Sequence, residues 1–408
     1  MPGKSQRGAL ILTVLTLVAL SAPAAHAQQY TYTELYNFAG PPADGADPAG
    51  LIRDSEGNFY GVTAEGGAHN LGAVFKLAAG GTESVLYSFP GYPNDGTSPT
   101  LGLVRDAEGN LYGTTFLGGA FNYGTVFKLD TAGVETILHN FTGAADGGNP
   151  GAGLLGDGQG NLYGPALYGG TATGFSGNGV IFKIDAGGTF NVLYTFTGGA
   201  DGANPGSPLI FDSEGNLYGA SGGGAYGWGT VFKLGPRGAE KVLYAFTGGA
   251  DGSLPTGPLV RDAAGNLYGA TSYGGMSTPD DGDGVVFKLD TAGTETVLHT
   301  FTGLTGPYTE RDGANPGSGL VRDPAGNLYG TTYSGGHSCA YCGRPGRAGY
   351  GVVFKVDTAG NETILHRFAG KADGSHPLGL VRDSQGNLYG VASTLNASGY
   401  GLIFQLAP

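Results

Sequence analysis

Apolar residues in this chain come in short runs rich in β-branched and aromatic types, each closed off by Gly, Asp or Asn. A clear set is Leu101-Gly-Leu-Val-Arg-Asp106, Leu111-Tyr-Gly-Thr-Thr115, Gly124-Thr-Val-Phe-Lys-Leu129 and Glu135-Thr-Ile-Leu-His-Asn-Phe141. Runs of this length and composition predict β-strands. Beyond the first residues no segment holds an apolar period of 3.6 for three turns, so helix should be nearly absent. Asp106-Ala-Glu-Gly109-Asn110 and Asp130-Thr-Ala-Gly133 separate strands of one set. An Asp side chain can accept from backbone N–H two residues on, and Gly supplies positive φ, so both read as tight hairpin turns.

The set recurs. Its phrase Gly-Asn-(Leu/Phe)-Tyr-Gly begins at Gly57, Gly109, Gly160, Gly215, Gly265, Gly326 and Gly386. Steps of about 50–60 residues match a propeller blade rather than a helical solenoid. Naming the strands of a unit A to D, fourth strands end at Phe89, Phe141, Phe196, Phe246, Phe301 and Phe368, while another ends at Phe38 before any first strand has appeared. The chain finishes on a third strand, 401–406. Residues 31–38 should therefore complete the last sheet, hiding two edges that would otherwise invite aggregation. The expected fold is all-β: one monomeric seven-bladed β-propeller of four-stranded antiparallel blades, closed by the N-terminal strand. Its blades run over about 49–89, 100–141, 151–196, 206–246, 256–301, 317–368, and 378–406 with 30–38. The repeated Tyr of strand B and Phe of strands C and D should be packing, since both faces of a blade are covered by neighbours.

Composition refines this. The 82 glycines follow no Gly-X-Y period, which excludes collagen. Lys4 and Arg7, an apolar run from Ala9 to Leu20, and Ala25-His26-Ala27 form a signal peptide over 1–27, too short to span a bilayer. Its removal takes the net charge from −13 to −15, because Lys4 and Arg7 are its only charged residues. The product, residues 28–408, should be secreted or periplasmic. Such acidity argues against nucleic acid and against membrane insertion or anionic surfaces.

The whole unit, Leu-Val-Arg-Asp-x-x-Gly-Asn-Leu-Tyr-Gly-Thr-Thr through Gly-Thr-Val-Phe-Lys-Leu-Asp to Asp-Gly-x-Asn-Pro, resembles the GloVer tandem repeat of secreted, often surface-anchored bacterial proteins. More loosely the strand layout is similar to NHL-type propellers. The resemblance implies the fold and the location and no reaction. Members often end in an anchoring signal; this sequence ends at Ala407-Pro408, two residues past a strand, which favours a soluble form.

The A–B and C–D turns share one rim and are short and uniform. The B–C and D–A loops share the other rim and vary, which is where recognition sits on rigid scaffolds. Blade six departs most, with a lengthened entry (Tyr308, Glu310, Arg311) and a long B–C loop (His337, Tyr341, Arg344, Arg347). These would form a ligand-binding ridge or be a tolerated insertion. Cys339 and Cys342 lie in that loop and, in an exported chain, suggest a local disulfide. A redox pair would want a helix N-terminus, and zinc would need two more ligands beyond His337.

Asp-Gly-x-x-Pro recurs in every D–A connection, with Asp44, Asp95, Asp146, Asp201, Asp251, Asp312 and Asp373. An Asp before Gly suits turn capping better than cation binding. Asp280, Asp281 and Asp283 lie outside the repeat and are a better calcium candidate, though not an EF-hand. No other cofactor is indicated. Tyr123, Trp228, Tyr350 and Tyr400 precede the Gly that opens strand C and would either stack on sugar rings or lid the blades. His139, His299 and His366 share a strand-D position with Tyr36, Tyr87, Tyr194 and Tyr244 and should be packing, while His69 and His376 stand alone. Neither Gly-x-Ser-x-Gly nor His-Glu-x-x-His occurs. The expected function is non-enzymatic binding of a glycan or extracellular protein on the B–C/D–A face. The alternatives are a polysaccharide lyase or glycosidase, and a passive envelope spacer.

Overall fold

Each set of four strands folds as one antiparallel sheet, and seven sheets form the ring. The computed structural model describes residues 30–276, 282–303, 312–336, 349–370, 373–393 and 399–408. Blade one shows the plan: strand A Gly45–Arg53, B Phe59–Gly66, C Ala73–Leu77 and D Glu83–Ser88. Among the described residues the one helical turn is a 3-10 turn at Gly174–Ser176. Blade seven joins Ser375–Arg382, Leu388–Ser393 and Leu402–Ala407 to the N-terminal strand Thr31–Asn37. Thr31 pairs with Ala407 and Asn37 with Leu402, so the expected closure is the observed one.

The repeated phrase is one hydrogen-bonded unit. In blade two the Asp106 carboxylate accepts from the Asn110 backbone N–H and amide (2.8 and 2.7 Å) and from the Tyr112 hydroxyl (3.0 Å). Burial would raise such a carboxyl, but the Asn, backbone and Tyr donors outweigh it, and in blade four they hold Asp212 at about 2. The phrase's first Gly has φ between +79° and +96° in all seven copies, the conformation the turn requires. Its last Gly is bare for a different reason. The strand-C Phe ring crosses it, and a Cβ there would fall 2.5–2.8 Å from that ring.

Neighbouring blades meet through aromatic edges. The buried Phe ending each strand D stands edge-on to the strand-C Phe of the next blade. The pairs Phe38–Phe75, Phe89–Phe127, Phe141–Phe182, Phe196–Phe232, Phe246–Phe287, Phe301–Phe354 and Phe368–Phe404 have centroids 5.0–5.4 Å apart. Edge-to-face pairs of this kind add roughly 0.5–1.5 kcal/mol each beyond the area they bury. The rings are packing, as expected.

Strand A differs from expectation. The sequence pattern puts it after the Asp-Gly-x-x-Pro connection, yet in blades one, two, five, six and seven the pairing starts inside it, at Gly45, Gly96, Ser253, Ala314 and Ser375. A non-glycine residue at positive φ just before the Pro bends the strand, and the register shifts there, as between Pro48 and Gly50. The inner segments then converge on the axis, where Gly50, Gly102, Gly153, Gly257, Gly319 and Gly379 help line a cavity of about 250 Å³. A Cβ on Gly257 would sit 2.3 Å from the Gly319 nitrogen, so the axis closes on backbone.

Five junctions bury a glutamate at the start of strand D. Glu83, Glu135, Glu240, Glu295 and Glu362 each have one carboxylate oxygen buried without a hydrogen-bond partner. Burial, followed for the first four by the charge of the preceding blade's D–A Asp, pushes them from 4.5 to about 7; at Glu362, His299 opposes Asp312. In blade three Phe190 takes this place and stacks on His139 (3.7 Å, 9°); in blade seven Tyr32 stacks on His366 (4.2 Å, 11°).

These carboxyls hold protons more tightly folded than unfolded, so their stabilisation is complete below about 4.5 and is lost as pH rises through about 7. The A–B turn aspartates act oppositely but only near and below their ordinary 3.8. Among the described residues His376, whose pKa burial lowers, opposes them. The thermal midpoint should therefore rise by roughly 3–6 °C from pH 8 to pH 5. Glu135→Gln and Glu295→Gln should flatten the profile stepwise; a wild-type midpoint that falls over this interval would contradict the assignment.

Candidate functional site

Each D–A connection is clasped by its Asp. The carboxylate accepts from the strand-D tyrosine hydroxyl at Tyr36–Asp44, Tyr87–Asp95, Tyr194–Asp201 and Tyr244–Asp251, over 2.6–3.1 Å. It also accepts backbone N–H groups, such as those of Ala39, Thr142, Thr197, Thr247 and Ala369. Where the strand-D residue is His, its Nε2 faces the Asp: His139 hydrogen-bonds Asp146 at 3.0 Å, while His299–Asp312 at 3.3 Å and His366–Asp373 at 3.4 Å are close approaches without hydrogen-bond geometry. The expectation of mere packing was incomplete for these histidines. Each stands edge-on to its strand-D Phe and also faces a carboxylate. A residue that alternates with Tyr at a position needing an aromatic donor was the available signal.

Three residues after each Asp comes a non-glycine residue at positive φ: Asp47, Ser98, Asn149, Asn204, Leu254, Asn315 and His376, between +50° and +57°. Its N–H donates to a carbonyl of the preceding blade (2.7–3.0 Å), always that of the residue before the strand-C glycine. Asn tolerates this conformation best. Asn149, Asn204 and Asn315 use it further, each donating from the side chain at 2.9 Å to a carbonyl in or just past strand B of the preceding blade, those of Phe116, Leu167 and Ser272. His376 occupies the same position in blade seven without an amide to offer.

That histidine lines a cavity of about 590 Å³ on the B–C/D–A rim between blades five, six and seven. Its ring lies 4.2 Å from that of Tyr333 at 31°, and Tyr333 is 50% exposed. Thr256, Ser272, Ser318, Ser334, Tyr273 and Asn315 supply polar groups around the pair. Thr256 and Ser272 hydroxyls are 2.9 Å apart, and His376 Nδ1 is 3.1 Å from the Ser375 hydroxyl. Burial lowers the His376 pKa, so its ring is neutral at pH 7. No Asp, Glu, Lys or Arg is among the described residues of this wall.

The four aromatic candidates do not converge there. Each lies across the glycine of its own blade's D–A turn: Tyr123 on Gly143, Trp228 on Gly248, Tyr350 on Gly370 and Tyr400 on Gly40. A Cβ on those glycines would fall 2.2–2.7 Å from the ring. Leu71 on Gly91 and Asn178 on Gly198 repeat the contact without an aromatic group. This is the lid arrangement, one face of each ring being occupied by backbone. Asp283 is buried, and its carbonyl accepts the Asn315 N–H. No cluster of three or more His, Cys, Asp or Glu able to hold a metal occurs among the described residues. Tyr308, Glu310, Arg311, His337, Tyr341, Arg344, Arg347, Cys339, Cys342, Asp280, Asp281 and the 1–27 leader lie outside the described residues. Sequence reasoning missed Tyr333 and His376. The signal for His376 was its place in Asp-Gly-x-Asn-Pro, where three sister blades carry Asn.

Among solved structures the chain is similar to virginiamycin B lyase from Staphylococcus aureus, with a TM-score of 0.59 and 14% identity over 93% of this chain and 100% of that one. A catalytically inactive histidine variant of that lyase with quinupristin gives 0.60 and 12% over the same shares. The extracellular domain assigned to a one-component system of B. thetaiotaomicron gives 0.53 and 13%, over 94% of this chain and 42% of that one. Identities this low show the propeller fold alone. No curated protein matches the chain in sequence. No helix among the described residues is long and apolar enough to cross a membrane. The Gloeobacter/Verrucomicrobia repeat model matches residues 23–175 and again 159–343, in agreement with the tandem-repeat resemblance. By its blades and by that match, the chain belongs to the Gloeobacter/Verrucomicrobia repeat family.

Proposed function

We propose that the protein is an exported, non-enzymatic propeller that binds a neutral carbohydrate in the cavity between blades five, six and seven. The observation that carries this is the Tyr333–His376 pair, an exposed aromatic platform inside a ring of hydroxyl and amide groups. A pyranose presents a C–H face that stacks on such a platform and hydroxyl edges that pair with such a rim. The absence of charge among the described wall residues suits an uncharged sugar over a uronate or sulfated one. It also supports binding over glycoside hydrolysis, which uses two acids about 5–10 Å apart. At this position His376 brings an aromatic ring where the sister blades carry Asp47, Ser98, Asn149, Asn204, Leu254 and Asn315. The blade-six ridge belongs to the same proposal. Tyr308, Arg311 and Tyr341 of that ridge are proposed as further contacts on the sequence alone.

On an array of neutral oligosaccharides the mature protein should bind, and Tyr333→Ala should weaken binding roughly ten-fold or more. His376→Asn installs the residue of three sister blades, so it should fold normally and lose binding. A wild-type protein that binds no neutral glycan would remove this reading and favour a spacer; one that consumes the glycan would make it an enzyme. Export is proposed from Lys4, Arg7 and Ala25-His26-Ala27. Mass spectrometry of protein recovered outside the cytoplasm should show Gln28 as the first residue, and an intact Met1 there would exclude cleavage.

A further inference from the structure

On the opposite rim, a stacking contact recurs at most junctions. The Arg that ends strand A of one blade lies over the strand-B Tyr of the blade before it. Arg53 covers Tyr389, Arg105 covers Tyr60, Arg261 covers Tyr218, Arg322 covers Tyr268 and Arg382 covers Tyr329, each guanidinium 5.4–5.8 Å from the ring centroid. Each guanidinium also approaches its own blade's turn glycine. Nη2 lies 3.0–3.2 Å from where a Cβ would stand on Gly57, Gly109, Gly265, Gly326 and Gly386. The cation is thus held in a slot between an aromatic face and bare backbone. At the junction of blades three and four, Phe211 replaces the arginine and stands edge-on to Tyr163 at 5.1 Å.

At the junction of blades two and three the position is Gly156, and the slot has no side chain to fill it. Both walls remain, Tyr112 on one side and the turn glycine Gly160 on the other, and both line a cavity of about 740 Å³. Asp106 and Glu108 also line it and bring negative charge beside two cations, Lys128 and Arg105, the latter stacked on Tyr60. Burial, the Asp106 hydrogen bond and the charges of Asp106 and Glu108 raise the Tyr112 hydroxyl to about 12, so both carboxylates act on this ring. Lys128 lies 5.7 Å from the Tyr112 centroid but does not exclude a second cation. Tyr60 accommodates Lys76 and Arg105 together, at 5.5 and 5.4 Å.

We propose that this slot between Tyr112 and Gly160 is a binding site for a guanidinium group brought by a ligand, which takes the position that arginine fills at the sister junctions. It lies on the A–B rim and is independent of the carbohydrate reading. Titration of the mature protein by NMR or calorimetry with N-acetyl-arginine methylamide should show one site, and the isosteric, uncharged N-acetyl-citrulline methylamide should bind about ten-fold more weakly or not at all. Methylguanidine run alongside separates the sources: equal affinity points to a small free guanidinium, and weaker affinity points to an arginine side chain. Gly156→Arg supplies the missing group from within, so it should abolish binding of the probe and raise the thermal midpoint. Gly156 has no positive φ, but a Cβ there stands 2.9 Å from Val104 Cγ1, which must rotate. Glu108→Gln leaves the backbone untouched and should weaken binding about three- to ten-fold. No binding to wild type, equal binding of the citrulline analogue, or unchanged binding in a folded Gly156→Arg or in Glu108→Gln would overturn the proposal.

Discussion

Everything in this molecule depends on the junction between one blade and the next. A ring of seven closes only if each junction turns the chain through the same angle, and three contacts repeat to enforce it. The edge-on Phe pair sets the spacing in the core. The N–H of the positive-φ residue, bonded to the preceding blade's loop carbonyl, pins the B–C/D–A rim. Arginine stacked on tyrosine fills most of the other rim. None of these lies within a single repeat. Each blade is therefore half of two joints, and an isolated unit would leave its Phe, its Tyr and one inner strand exposed.

That division explains what could be read from the chain. Strand order, the hairpin turns and the N-terminal closure were legible because each shows itself in local spacing: Asp106, Asn110 and Tyr112 sit a few residues apart and satisfy one another. The cross-blade partners were not legible. When most repeats carry the same Arg, Tyr and Phe, the sequence does not say which copy meets which. The start of strand A was misplaced because Asp-Gly-x-x-Pro has the composition of a turn. Only backbone geometry shows that its second half already pairs with strand B. The blade-six ridge was chosen by loop length, whereas Tyr333 and His376 lie at ordinary repeat positions and acquire their character from each other.

Departures from the repeat are accordingly the most informative residues. Phe190 and Tyr32 replace a buried glutamate and stack on histidines of the preceding blade, which keeps their junctions filled. Phe211 does the same for an arginine. His376 and Gly156 are different in kind. One puts an aromatic ring at a position that Asn holds in three blades, and the other removes a side chain and leaves its slot bare.

The pairing of Thr31–Asn37 with Leu402–Ala407 also orders events in time. The first strand to emerge from the ribosome has no sheet to join until the final one is made. An incomplete chain can stack blades one to six, yet its ends stay unspliced, and the last sheet lacks its outer member whichever end is short. Fastening the ring thus waits until Leu402–Ala407 has been made, and damage to that strand or to Thr31–Asn37 acts on the same seam.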